Sequence, residues 1–252
     1  MTGRVARGDI LVHTAGEVLG SAREYVRRQV AGFVRRVPEQ VASVRVRLTA
    51  NTKPTMPWPA LAQANLTVAG CPVRAQVVAG FFHEAAGLLR RRLAEQVARV
   101  GDPDRLRPWP DPTRPTAPDP APRPAGQRRI ARHKQYEPAC CTVAQAALTM
   151  DLMDYDFHLF VDARTGQDSV LYRVGPTGYR LAGLRTLPPP PAPDGLPLAI
   201  DVHPVPNLPP AEVVPRLDET GLAFRFFRNA ETGRGAVLYR RYDGHYGLLE
   251  PT

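Results

Sequence analysis

The chain repeats part of itself, and that repeat limits what its C-terminal half can become. Shifted by 67 positions, residues 157–184 align without a gap on residues 224–251, and 11 of the 28 positions are identical. The identities include Phe157/Phe224, Phe160/Phe227, Thr165/Thr232, Gly166/Gly233, Tyr172/Tyr239, Arg173/Arg240 and Tyr179/Tyr246. The run Val170-Leu171-Tyr172-Arg173 returns whole as Val237-Leu238-Tyr239-Arg240. Two copies of a unit of about fifty residues are too few for a solenoid. Such a unit is also near the lower size at which a domain folds alone, so the copies are expected to fold against each other.

Proline divides the rest. Helix and strand interiors reject it, so the chain's 28 prolines must collect in connections. Nine of them fall within residues 101–127, which read as an extended, semi-rigid spacer. At roughly 3.1 Å per residue it could reach on the order of 80 Å. A second break holds Pro188–Pro191. The expected organisation is a domain over 1–100, a linker over 101–130, a first C-terminal module over 131–186, a break over 187–200 and a second module over 201–252.

Charge is just as uneven. Residues 1–100 carry 15 basic and 6 acidic side chains, or +9, and residues 101–133 carry 7 and 4, or +3. Residues 134–252 carry 11 and 14, or −3. A polyanion such as RNA is therefore the expected partner of the first domain, and the C-terminal half would be repelled by one. The longest uncharged stretch, 54–73, holds four prolines and cannot cross a membrane as a helix. The N-terminus lacks the apolar core of a signal peptide. Cys71, Cys140 and Cys141 make no even framework and no CxxC, which points to a reduced, cytoplasmic protein.

Periodicity gives the elements of an α+β protein. A strand over 9–14 precedes a helix over 21–37, where Ser21 and Glu24 have the spacing of a capping box. Val26, Val30, Phe33 and Val37 form its inward stripe. Residues 41–50 alternate, with Val44, Val46 and Leu48 inward and Arg45 and Arg47 outward. Strands over 61–69 and 71–79 precede a helix over 82–100, on which Arg92 and Arg99 share a flank. The order βαβββα predicts a four-stranded sheet with two helices on one face. Each C-terminal module reads as a helix, over 142–153 and 210–220, followed by a β-meander. Arginine-bearing helices on one side of a sheet make a surface matched to RNA phosphates. Solvation of an exposed face is the plainer explanation of such arginines, and the +9 excess tips the balance towards RNA.

These residues resemble a known family. Phe227-Arg-Asn-Ala-Glu-Thr-Gly233, Leu238-Tyr-Arg-Arg-Tyr-Asp-Gly244 and Tyr246-Gly-Leu-Leu-Glu-Pro251 closely resemble the C-terminal domain of long ribosome hibernation promoting factors. The module from Arg132-His-Lys134 onward resembles a diverged second copy. Ala22-Arg-Glu-Tyr-Val26 and residues 66–93 are similar to the family's ribosome-binding domain. One such domain followed by two modules resembles the actinobacterial, dormancy-associated type. The resemblance implies a non-enzymatic, steric inhibitor of translation acting in stress or dormancy. It would sit on 16S rRNA in the decoding channel of the 30S subunit and 70S ribosome, among ribosomal proteins, where mRNA and tRNA bind. Arg23, Arg92 and Arg99 fall where the family is basic, with Arg27, Arg28, Arg35, Arg36, Arg90 and Arg91 in support. Gln29 and Gly32 stand where relatives often carry lysine, and Phe81 and Gly87 replace acidic residues. The alternative is a transcription-associated regulator, since this C-terminal family was once labelled a modulator of an alternative sigma factor.

Other chemistry finds little footing. His133, Cys140 and Cys141 lack a fourth ligand at zinc spacing, so no metal is expected, and no cofactor motif is present. His83-Glu84 lacks the second histidine of a zincin helix. No GxSxG, P-loop or GxGxxG run supports an enzyme. Trp58 and Trp109 each sit in Pro-Trp-Pro, suited either to stacking on bases or to packing on their own domain. In single-module relatives two chains pair through this module. Here Phe157, Phe160, Val170, Phe224, Phe227 and Val237 are expected to pack the two modules on each other within one monomeric chain, without a membrane. The competing expectation is that divergence of the first module frees the second to pair between chains.

Overall fold

Period-two apolar alternation builds the first sheet. The computed structural model describes residues 10–50, 59–102, 124–174, 178–185, 196–241 and 243–252. Trp58, Trp109, most of the proline-rich linker and Pro188–Pro191 lie outside the described residues. The chain divides into two units, Met1–Pro118 with Asp151–Tyr155, and Asp119–Met150 with Asp156–Thr252.

The first unit runs β1 (Ile10–Ala15), α1 (Gly20–Val34), β2 (Val41–Ala50), β3 (Ala60–Val68), β4 (Cys71–Ala79) and α2 (Phe82–Gly101). Its sheet has the order β1-β2-β3-β4, with β1 parallel to β2 and the other pairs antiparallel. This is the expected βαβββα arrangement. Val44, Val46, Leu48, Ala62, Ala64, Leu66, Val73 and Ala75 are buried together with Val26, Val30, Leu89 and Leu93 of the helices. Ala69 and Gly70, at φ 48° and 82°, make the tight turn between β3 and β4. Two left-handed residues match the twist of the strands they join. The start of α1 differs from the sequence reading. Leu19 is its N-cap, with no side-chain cap. Gly20 takes the first helical position, so Ser21 lies inside the first turn and Glu24 is left to bind Arg27 instead.

The second unit contains both modules. It runs β5 (Ile130–Tyr136), β6 (Cys140–Cys141), α3 (Val143–Leu152), β7 (Phe157–Asp162), β8 (Asp168–Val174) and β9 (Gly178–Gly183), then β10 (Leu198–Ile200), β11 (Asn207–Leu208), α4 (Pro210–Thr220), β12 (Phe224–Asn229), β13 (Gly235–Arg240) and β14 (Tyr246–Pro251). Thr142 and Gln145 close a reciprocal capping box on α3: the Thr142 N–H donates to Oε1 at 3.0 Å and the Gln145 N–H to Oγ1 at 3.3 Å. Gly221, at φ 66°, ends α4. The meanders β7-β8-β9 and β12-β13-β14 follow their helices as expected.

Their outer strands are exchanged. The two sheets have the orders β10-β9-β8-β7-β6 and β11-β12-β13-β14-β5. Strand β5 opens the first module in sequence yet pairs with β14 of the second, through six of its seven residues between Ile130 and Tyr136. Strand β10 precedes the second module yet pairs with β9 of the first. Ile130 packs against Val213, Leu217, Phe227 and Tyr246, the core under α4.

A second core joins the modules. It holds Leu159, Val170 and Ala182 from one and Phe226 and Val237 from the other, with Phe157, Tyr172, Phe224 and Leu249 packed against it. Equivalent positions meet here, as they must across a twofold relation. The Phe157 and Phe224 rings lie 4.7 Å apart. Tyr172 meets Phe224 at 5.4 Å, and its equivalent Tyr239 meets Phe157 at 5.8 Å. Asp168 accepts from the Gly235 N–H at 2.8 Å and from Arg234 Nε and Nη2 at 2.8 and 3.0 Å. A Cβ on Gly235 would stand 2.7 Å from the Asp168 Cβ, so glycine allows this approach. Phe160 and Phe227 do not join this interface. Both are fully buried, but strand alternation turns them to the opposite faces, and Phe227 belongs to the core under α4.

Two outcomes follow from this arrangement. In Lys134→Pro/Gln135→Pro, which breaks the β5 ladder, amide exchange should accelerate across β14 and not across β7–β9. Acceleration in β7–β9 instead would contradict the exchanged pairing. Burial also pushes the His158 imidazole down from 6.5 to about 4. The unfolded chain takes up that proton near pH 6.5 and the folded one does not. Stability is therefore lost as pH falls from about 6.5 to about 4, by up to ~1.4 kcal/mol per pH unit. Thermal unfolding of His158→Leu should fall less steeply over that window than wild type.

Candidate nucleic-acid interface

Helix packing decides which arginines are offered to a ligand. On α1 and the two residues that follow it, burial of Ala22, Val26, Val30, Ala31 and Phe33 leaves Arg23, Arg28, Arg35 and Arg36 exposed. On α2, burial of Ala85, Ala86, Leu89, Leu93 and Val97 leaves Arg90 and Arg91 exposed. These six carry no ion pair among the described residues. Arg27 is tied to Glu24 through Nε and Nη2 at 2.8 and 2.9 Å, and that hydrogen bond raises its pKa.

Arg92 and Arg99 are placed differently from the sequence reading. Both are buried, at 4% and 5% exposure. Their seven-residue spacing puts them in line with Ala85, which is also buried, so the flank they share is a covered one. Arg99 donates through Nη1 to Gln96 Oε1 at 2.8 Å and to the Glu95 carbonyl at 3.3 Å. Arg92 donates to Asp154 Oδ1 through Nη2 at 2.7 Å and Nε at 3.3 Å, and to Glu95 Oε2 through Nη1 at 3.2 Å.

The sheet adds a second basic surface on its helix-free face. Strands β1–β4 contain no aspartate or glutamate. Arg45 and Arg47 are exposed there, opposite Asn65 and Gln63. Arg74 continues the row beyond Asn65. Alternation along β2 already marks Arg45 and Arg47 as outward, and strand register is what joins them to Arg74. At one end of the unit the Tyr25 and His83 rings lie 4.3 Å apart. Leu19 and Phe81 are 74% and 76% exposed at the starts of α1 and α2.

Among the described residues no group of three His, Cys, Asp or Glu side chains could hold a metal ion. His133 Nε2 lies 2.5 Å from Glu250 Oε2, and Cys140 is exposed. No described helix is long and apolar enough to cross a membrane.

Comparison with known proteins gives the surface a context. The family described as Sigma 54 modulation/S30EA ribosomal protein C terminus matches residues 125–181 and 199–248, one stretch for each module. The dormancy associated translation inhibitor of Mycobacterium tuberculosis is 39% identical over 252 residues, covering 97% of this chain and 89% of its own. The ribosome hibernation promotion factor of Bacillus subtilis is 49% identical over 41 residues, 16% of this chain and 22% of its own. The solved N-terminal domain of Thermus thermophilus Protein Y is 23% identical, covers 36% of this chain and 94% of its own, and has a TM-score of 0.29.

Proposed function

The chain belongs to the long ribosome hibernation promoting factor family, beside the dormancy associated translation inhibitors, and from that footing we propose that it holds ribosomes inactive in stress or dormancy. The first unit binds 16S rRNA in the decoding channel of the 30S subunit, within 30S or 70S particles in the cytoplasm. It occupies the path of mRNA and tRNA there, so inhibition is steric and involves no bond-making chemistry. The observation that carries this reading is the basic surface of α1, its C-terminal end and α2: Arg23, Arg28, Arg35, Arg36, Arg90 and Arg91 are all exposed and form no ion pair among the described residues. Cations on a rigid helical scaffold suit a phosphate backbone, because each contact releases a condensed counterion. Arg27 shares its charge with Glu24 and contributes less.

The second unit serves a different purpose. Residues 134–252, at −3, lack the cationic excess of residues 1–100, and the apolar module faces are covered by each other. An isologous surface satisfied inside one chain is not offered to a second chain. The protein accordingly acts as a monomer, one chain to one ribosome.

Binding to purified 30S subunits tests this reading. Raising salt from about 50 to about 200 mM should weaken binding by on the order of a thousandfold if some six phosphates are contacted. Charge reversal in Arg28→Glu/Arg35→Glu/Arg36→Glu should cost about tenfold or more and relieve inhibition of translation in vitro. Wild-type affinity in that variant would remove α1 from the interface. Retention on RNA polymerase with no 30S association would favour the sigma-factor alternative.

A further inference from the structure

Asp154 has a constrained backbone, a buried charge and an unusual set of partners. Its φ is 54°, in the left-handed region that few non-glycine residues adopt. Its side chain is 3% exposed. Oδ1 takes the Nε and Nη2 edge of Arg92, and Oδ2 accepts the backbone N–H of Gln76 at 3.1 Å. Gln76 lies on β4, the edge of the sheet, so that N–H has no strand partner on its outer side. Next to it, Arg74 donates to the Met153 carbonyl at 3.4 Å and lies 5.3 Å from the centre of the Tyr155 ring.

An arginine edge, a backbone N–H outside the strand ladder and a second arginine nearby are donors for an oxyanion in general. A phosphate of an RNA backbone uses the same set. Packing alone does not call for charges at this place. A buried ion pair is often no more stabilising than apolar residues of the same volume. Glu95 accepts from Nη1 of Arg92, whereas the Nε and Nη2 edge is turned to the Asp154 carboxylate. Arg90 and Arg91, on the same helix as Arg92, are exposed.

We propose that Arg92 and the Gln76 N–H, with Arg74 beside them, form a binding site for an RNA phosphate, and that Asp154 fills it in the free protein as an intramolecular stand-in. Resting on the RNA-binding reading above, this makes residues 151–155 a latch. RNA must displace the Asp154 carboxylate before Arg92 can be used, so the free protein binds more weakly than its arginines allow, by the fraction of time the latch is open. A long polyanion that engages the exposed arginines can meet that cost, and a lone anion cannot. Arg92 then joins the interface only after the outer contacts have formed.

The test compares full-length wild type, Asp154→Asn, Arg92→Gln and the double variant for affinity to purified 30S subunits at fixed salt. Asp154→Asn should bind about three- to tenfold tighter. That gain should vanish in Asp154→Asn/Arg92→Gln, which a merely structural role for the pair does not require. An unchanged or weakened Asp154→Asn that melts as wild type does would overturn the latch. Should that variant not fold, hydrogen exchange on the wild type decides: amides of 151–155 should lose protection on binding 30S, and unchanged protection would overturn the proposal. Failure of wild type to bind 30S at all would sink the RNA-binding reading, whereas binding without a gain in Asp154→Asn sinks only the latch.

Discussion

The second unit depends on the exchange of two strands. Each meander leaves its last strand open along one edge, and an open edge is an invitation to another chain. Strand β5 closes β14 and strand β10 closes β9, so each module completes the sheet of the other. The exchange also sets the apolar faces together, and the core around Val170, Val237, Phe157 and Phe224 is continuous across the modules. Joined by a short break, the modules meet at an effective concentration of about millimolar or higher, which favours closure within the chain. The Asp168 contacts to Arg234 and Gly235 add direction to an interface otherwise made of apolar area.

This closure separates the two tasks of the molecule. Charge is concentrated in the first unit, where helix packing turns six arginines outward and the strands carry no carboxylate. The second unit, which lacks that excess of cations, keeps its apolar module faces covered. In the proposed function, one unit supplies affinity for a polyanion, and the other limits what else the chain can join. In this account inhibition needs no catalytic group, because a folded domain occupying a nucleic-acid path excludes the native occupant by volume.

Much of this was legible in the sequence, for physical reasons. Alternation in Val44, Val46 and Leu48 and the helical stripe of Val26, Val30 and Phe33 depend on local periods, so the first unit's elements could be read directly. The repeat announced two modules because identical side chains face identical surroundings. The exchange was not legible: β5 and β10 are short, and which edge a strand closes is a tertiary choice that local pattern does not encode. Phe160 and Phe227 were assigned to the wrong face because identity between copies marks burial, not the partner. Arg92 and Arg99 read as rRNA contacts because the resembled family is basic at those positions, although their alignment with Ala85 is a signal that the flank they share is covered. The Asp154 partner lies 62 residues away from Arg92, beyond any local pattern.

The central claim is that one chain closes its own pairing surface and therefore holds one ribosome. Sedimentation of ribosomes saturated with the protein tests it most directly. The account predicts that occupied particles remain at 70S, with the protein at one copy per particle. A stoichiometric 100S peak would contradict it, because two ribosomes can be joined only by a surface that the exchanged strands are held to have closed.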